Sequence, residues 1–177
     1  MAEYVILVDE QDRATGEMEK LEAHRLGLLH RAFSVFVFDS FGRLLLQRRA
    51  WGKYHSPGLW TNTCCSHPRA GEETEAAAHR RLQEEMGFDC PVRHAFGFTY
   101  RAELGDLIEH EYDHVFVGTW DGIPLPAPEE VAGCKYWELD EIERGLESQH
   151  EQFTAWFRLI WPRIRELQQL AKEPIQA

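Results

Sequence analysis

The stretch Glu72-Glu73-Thr74-Glu75-Ala76-Ala77-Ala78-His79-Arg80-Arg81-Leu82-Gln83-Glu84-Glu85-Met86-Gly87-Phe88 decides how the chain is read. Acidic residues crowd its first turn, where the partial positive charge of a helix N-terminus favours them, and three consecutive alanines have the highest helix propensity. Leu82 and Met86 lie four apart and share a face, and Gly87 supplies the left-handed stop. A helix over residues 72–86 is therefore predicted. Arg80 and Arg81 precede Glu84 and Glu85 by four residues. A solvated, salt-bridged face is one reading of these charges. Arg before Glu is the weaker order for helix support, which favours a chemical role instead.

Outward from this helix the pattern turns strand-like on both sides. Residues 31–39 alternate with β-branched and aromatic side chains, residues 40–42 turn, and residues 43–47 return, which predicts a hairpin. Residues 3–8 read as a short strand and 12–16 as a turn, while 20–30 fit neither period. Downstream, strands are expected at 92–102, 107–120 and 135–138, with a Pro-rich turn at Pro124, Pro126 and Pro128. Helices follow from about 140 and from about 153 to the end, the last carrying Pro162 at a position suited to a kink. With no internal repeat and no linker, the expectation is one α+β domain over 1–177, layered α/β/α.

A chain of 177 residues is the size of a single domain, and 44% apolar content with 12% aromatics is enough for one sizeable core. The longest strongly apolar run, residues 32–38, is far short of the roughly 20 that cross a bilayer, and residues 1–10 lack a signal core. Four cysteines, Cys64, Cys65, Cys90 and Cys134, form no CxxC pair. A reducing, cytoplasmic setting without membrane insertion is expected. The net charge of −11 argues against a nucleic-acid partner. Residues 40–71 nevertheless contain no Asp or Glu, but do contain Arg43, Arg48, Arg49, Lys53 and Arg69. Such a basic island suits a small anionic ligand, or else is simply a solvated loop. Within it, residues 48–68 hold Trp51, Trp60, Cys64, Cys65 and His67 among Gly52, Pro57, Gly58 and Pro68, unusually rich chemistry for a connector.

Among nine histidines, any single one is more often structural than a ligand. His24, His30 and His67 with Glu109 and Glu111 still make a coherent metal hypothesis. The two glutamates are two apart in an expected strand, so both carboxylates leave the same face, roughly 6.6 to 7 Å apart along it. Three imidazoles and two carboxylates suit Zn²⁺, Mn²⁺ or Mg²⁺ in roughly octahedral geometry. His55, His79, His94, His110, His114 and His150 read as surface or core residues, and the cysteine spacing excludes a closed four-Cys zinc site.

The run from Arg80 to Phe88 resembles the Nudix box: Gly, five residues, Glu, seven residues, then Arg-Glu-apolar-x-Glu-Glu-x-Gly-apolar. Glu72 falls on its first glutamate, whereas Ser66 replaces the leading glycine and Arg81 a helical glutamate. Trp60-Thr61-Asn62-Thr63-Cys64-Cys65-Ser66-His67-Pro68 resembles the Trp-Thr-Asn-x-x-Cys-x-His-Pro stretch of type 1 isopentenyl diphosphate isomerases, the Nudix branch that moves a double bond. Glu19-Lys20, Ala23-His24, His30, Arg48-Arg49-Ala50, Pro57-Gly58, Tyr100-Arg101-Ala102, Glu109-x-Glu111 and Trp156 follow in the expected order.

The resemblance implies a Nudix-like α/β/α sandwich with N- and C-terminal additions and a core at about 30–160. It also implies interconversion of isopentenyl and dimethylallyl diphosphate for isoprenoid synthesis. No carbonyl acidifies the C–H bonds of such a substrate, so the sensible route protonates the alkene toward a tertiary carbocation and removes an allylic proton. The resemblance nominates Cys65 and Glu111 for the two transfers, with Tyr100 nearby. It places one divalent ion (Mn²⁺, Zn²⁺ or Mg²⁺) on His24, His30, His67, Glu109 and Glu111, and Mg²⁺ on Glu85 together with the diphosphate. Lys20, Arg49, Lys53 and Arg81 are implied to hold that diphosphate, and Trp156 to provide an aromatic wall worth about 0.5 to 2 kcal/mol to a cation. A Nudix diphosphohydrolase is the alternative enzyme, disfavoured by Arg81 and Ser66. A silent diphosphate-binding module is the alternative outside catalysis.

Overall fold

Strand β3 (His30–Phe38) is the axis of the computed structural model, which describes residues 3–172. Every residue but Arg31 is buried, the mark of a strand covered on both faces. Along one edge it pairs in parallel with β8 (Leu107–Thr119) over nine residues, His30 opposite Glu111 and Phe38 opposite Thr119. Elsewhere it meets β1 (Tyr4–Val8) at His30 and the short β6 (Cys64–Ser66) at residues 33–35. β7 (Val92–Leu104) forms a long antiparallel pair with β8. β4 (Leu44–Arg49) pairs with the two-residue β5 (Trp60–Thr61) and with β9 (Val131–Trp137).

The two-residue period of a strand sorts the core into layers. Phe33, Val35 and Val37 face Ala77, Ala78, Leu82 and Met86 of helix α2 (Thr74–Met86). Phe36 and Phe38 face the other way, toward Phe157, Ile160 and Ile164 of the C-terminal helix, with Ile142 of the helix before it. That is an α/β/α sandwich, as expected. Truncating a fully buried anchor such as Leu82 to Ala would cost about 2–5 kcal/mol.

The expected helix over 72–86 is present from Thr74; Glu72 instead turns back to bind Arg80 through two hydrogen bonds of 2.7 and 2.8 Å. Residues 20–30, which fit neither period, hold a short helix, α1 (Lys20–Leu26), capped by the Glu19 carboxylate. Three expectations need correction. The hairpin at 31–47 reduces to a single bridge, Phe38 to Leu44, because β8 and β6 take most of the edges of β3 and β4 swings away to β9. The turn at 12–16 is shorter than read, since β2 (Ala14–Glu19) pairs with β1; its largely exposed residues give no alternation to detect. The loop at 48–68 contains β5 and β6. Helices α3 (Leu139–Ser148) and α4 (Ala155–Lys172) match their expectations, and α4 runs unbroken through Pro162. No described helix is long and apolar enough to cross a membrane.

Candidate active site

Two adjacent cysteines show how the sheet builds the site. β6 pairs with β3 so that Cys64 lies opposite Val35 and Cys65 opposite Ser34. Successive side chains therefore leave on opposite faces. Cys64 enters the core beneath α2, where it is fully buried. Cys65 points to the other face, into a cavity also lined by Tyr100, Glu109, Glu111 and Trp156. On this face the apolar core below α4 gives way to polar groups at the opening end of β3 and β8.

Strand register places the carboxylates. Glu109, Glu111 and Asp113 alternate along β8 and share its face with Val115 and Val117. Tyr100, paired with Glu111 across the β7–β8 ladder, brings its hydroxyl to 2.7 Å from Glu111 Oε2 and 3.0 Å from Glu109 Oε2. Burial, reinforced by the neighbouring Glu111 charge, pushes the Glu109 carboxyl well above its ordinary range. Burial alone would raise Glu111 too, but the His30 and His67 rings beside it outweigh burial and hold that carboxyl well below the usual range. The Tyr100 hydroxyl is the donor shared by the two carboxylates, with its shorter bond to Glu111.

His24 and His30 stand behind the cavity wall, both with no exposed surface. α1 stops at Gly27 (φ +63°), where a Cβ would meet Ile108 of β8 at 3.1 Å, so the glycine lets the helix end tight against the sheet. His24 Nδ1 donates to the Lys20 carbonyl at 2.7 Å and His30 Nδ1 to the Leu28 carbonyl at 2.8 Å. These bonds fix both tautomers, so each Nε2 carries a lone pair. Neither has a hydrogen-bond partner among the described residues. His67 Nε2 lies 3.0 Å and His30 Nε2 3.5 Å from Glu111 Oε1. Donor atoms of His24, His30, His67 and Glu111 fall within 4.8 Å of one another. Burial lowers His67 to about 4 and also lowers His24, so these rings are neutral at physiological pH, as metal ligands must be. Buried lone pairs converging with a carboxylate fit a divalent ion.

The cationic side chains of the cavity are, Arg49 apart, paired with carboxylates of the chain. Arg81 binds Glu84 and Glu85 at 2.7 Å each and Glu130 at 3.2 Å. Lys53 also pairs with Glu130, and Lys20 with Glu3 at 2.8 Å. Arg49 stacks its guanidinium 5.2 Å from the Trp156 ring centre and donates to the His55 carbonyl at 3.1 Å. Glu85, buried, accepts from Gln47 at 2.9 Å. Trp156 is fixed by its indole N–H, which donates to Asn62 Oδ1 at 3.2 Å. Apart from His24 and His30, every residue singled out in the sequence for catalysis, metal or ligand binding lines this one cavity.

Two residues were missed. His55, read as surface or core, is buried with Nε2 3.3 Å from Glu109 Oε1, and burial lowers it to about 3. Glu130, in the Pro-rich segment, is the shared partner of Lys53 and Arg81. Nothing local marks either residue. The absence of acids from residues 40–71 did hint that the counter-charges come from elsewhere in the chain.

A NUDIX domain model matches residues 28–157. An isopentenyl-diphosphate Delta-isomerase of Serratia proteamaculans is 55% identical over 161 residues, covering 90% of each chain. The chain belongs to the isopentenyl-diphosphate Delta-isomerase family. The enzyme of that name from Pectobacterium atrosepticum is 54% identical over 95% of this chain and 94% of its own. The crystal structure of DR0079 from Deinococcus radiodurans superposes with a TM-score of 0.78 at 20% identity, over 91% of this chain and 98% of that one, a likeness of fold. Family membership and the sandwich inferred from the two motifs are thus borne out.

Proposed function

We propose that the protein interconverts isopentenyl diphosphate and dimethylallyl diphosphate by a 1,3 proton transfer between Cys65 and Glu111. The observation that carries this reading is the convergence of the Cys65 thiol with the Glu111–Tyr100 pair in one cavity walled by Trp156. Burial pushes the Cys65 thiol far up, so it enters as S–H, a proton donor. Glu111, held ionised, is the matching acceptor. Addition of the thiol proton to the terminal CH₂ of isopentenyl diphosphate leaves a tertiary cation. Loss of a proton from the neighbouring CH₂ to Glu111 then creates the new double bond, and Tyr100 hydrogen-bonds the carboxylate that receives it. The reverse reaction exchanges the two roles. Trp156, 3% exposed and anchored by Asn62, keeps water off the cation and turns a π face to it.

His24, His30, His67, Glu109 and Glu111 would hold one divalent ion, Mn²⁺, Zn²⁺ or Mg²⁺, whose charge keeps both carboxylates ionised. Glu85 would hold Mg²⁺ that arrives with the diphosphate and offsets its charge. Lys20, Lys53 and Arg81 exchange their resident carboxylates for phosphate oxygens, and Arg49, which pairs with no carboxylate among the described residues, binds those oxygens beside them. The reaction belongs in a reducing cytoplasm, because Cys65 must remain a free thiol, and the acidic chain has no nucleic-acid partner.

Proton NMR of isopentenyl diphosphate with the protein and Mg²⁺ in D₂O tests this. Dimethylallyl methyl signals are expected. Release of inorganic phosphate without them would establish a hydrolase instead, the reading that Arg81 and the Arg80-bound Glu72 disfavour.

A further inference from the structure

We propose that His55 is a sixth ligand of the ion held by the histidine-rich nest, closing the set to four imidazoles and two carboxylates. This rests on the reading that the nest holds one divalent ion. His24, His55 and Glu109 present donor atoms within 4.8 Å of one another, as do His24, His30, His67 and Glu111, and His24 belongs to both groups. The two groups, of four and three residues, meet at His24, whose Nε2 is buried without a partner among the described residues, and that shared ring makes them two sides of a single centre. The 3.3 Å between His55 Nε2 and Glu109 Oε1 is close to the roughly 3 Å that separates neighbouring ligand atoms when bonds of about 2.0–2.2 Å meet at right angles.

An ordinary core imidazole would use both nitrogens in hydrogen bonds. His55 Nδ1 reaches only the Ser56 hydroxyl, at 3.5 Å, while Nε2 faces a carboxylate beside the His24 lone pair. The ring is fixed between the edges of Tyr54, 4.5 Å away, and Trp156, 5.8 Å away, centre to centre. The backbone is also held where it would not rest unaided. Ser56 adopts φ +48° directly before Pro57, although a residue preceding proline is confined to extended conformations. Arg49 clamps the His55 carbonyl at 3.1 Å, holding that turn. Strain of this kind persists where surrounding structure imposes it, and here it aims one imidazole at the ion. A fourth imidazole tilts the centre toward Zn²⁺ or Co²⁺ and away from Mg²⁺.

The test is a Co²⁺ titration of chelator-stripped protein, followed by visible absorption and by metal content per chain. Wild type should take one Co²⁺. His55→Ala should take the same one with a dissociation constant raised at least about tenfold and a changed d–d spectrum. His55→Asp, which restores a donor atom, should recover most of the affinity with an altered spectrum. A His55→Ala titration and spectrum equal to wild type would overturn the proposal, as would two Co²⁺ per wild-type chain with one lost in the variant. If wild type bound no Co²⁺, the single-ion reading would fall and this inference with it. Thermal melts of the stripped proteins check folding. If His55→Ala is unfolded, His55→Asp decides: a spectrum identical to wild type refutes ligation.

Discussion

Behind the cavity wall, His24 and His30 each use Nδ1 on a backbone carbonyl and leave a buried lone pair without a partner among the described residues. In the cavity itself, Arg81, Lys53 and Lys20 already hold carboxylates. The first, the cation end, is built from converging lone pairs and the second, the anion end, from ion pairs. An unsatisfied buried polar atom costs about 1–3 kcal/mol, which is tolerable where a bound cation repays it. Partly exposed ion pairs contribute about 1 kcal/mol or less and can be exchanged for a diphosphate at little cost. On the proposed reading the cation end is preorganised, whereas the anion end is neutralised until substrate arrives. Cys65 stands between them.

The largest effect should come from that middle position. Cys65→Ala should lower kcat by about 10² to 10⁴-fold, the usual consequence of losing a general acid, while bound metal stays constant. Cys64→Ala, on the opposite face of the same strand, should lower the melting temperature and leave kcat nearly unchanged. Equal rates for the two variants would remove Cys65 from the chemistry.

The cation end comes next. His67→Ala should lower metal affinity by about 10 to 100-fold and activity with it, as read by metal content after dialysis. The same ring sets a pH dependence. Burial lowers His67 to about 4, against about 6.5 in an unfolded chain, so between those values the unfolded state binds more protons. Stability of the stripped protein is therefore fully present above pH 6.5 and is lost as pH falls toward 4. Melts at pH 7, 5.5 and 4.5 should show a shallower decline for His67→Ala, and an unchanged slope would show that another group governs it.

The same contrast marks how much the sequence could disclose. Helix α2 was legible within two residues because its period, its acids and Gly87 all act locally. Glu109 and Glu111 could be assigned to one face because a strand repeats every two residues. Partner choice in the sheet is not local: β3 prefers β8, seventy residues and more away, to its apparent hairpin partner β4. His55 and Glu130 escaped for the same reason. Their neighbours in the chain, a loop and a Pro-rich turn, carry no sign that Glu109 or Arg81 will meet them in space.

At the anion end the effects should appear in KM. Arg49→Ala and Lys53→Ala should each raise KM about tenfold or more, the worth of a hydrogen bond to a charged group, and for Lys53→Ala resting metal content should be unchanged. Glu85→Gln should raise the Mg²⁺ concentration needed for turnover and leave the histidine-rich nest filled. If Glu85→Gln emptied that nest, the separation of the two ends would be wrong.

The smallest effect should also have the opposite sign. Glu130 neutralises Lys53 and Arg81 in the ligand-free protein, and its side chain is 23% exposed. If it is a stand-in for the diphosphate, substrate must displace it, so Glu130→Gln should lower KM by about two- to fivefold, within the range of a partly exposed pair. The variant should melt slightly lower, because the two cations then lose a counter-charge. Added salt screens the same pair, so the KM advantage over wild type should narrow as ionic strength rises. A rise in KM would instead mean that Glu130 helps to hold the ligand, as Glu85 is proposed to do, and the anion end would then need two carboxylates for its Mg²⁺.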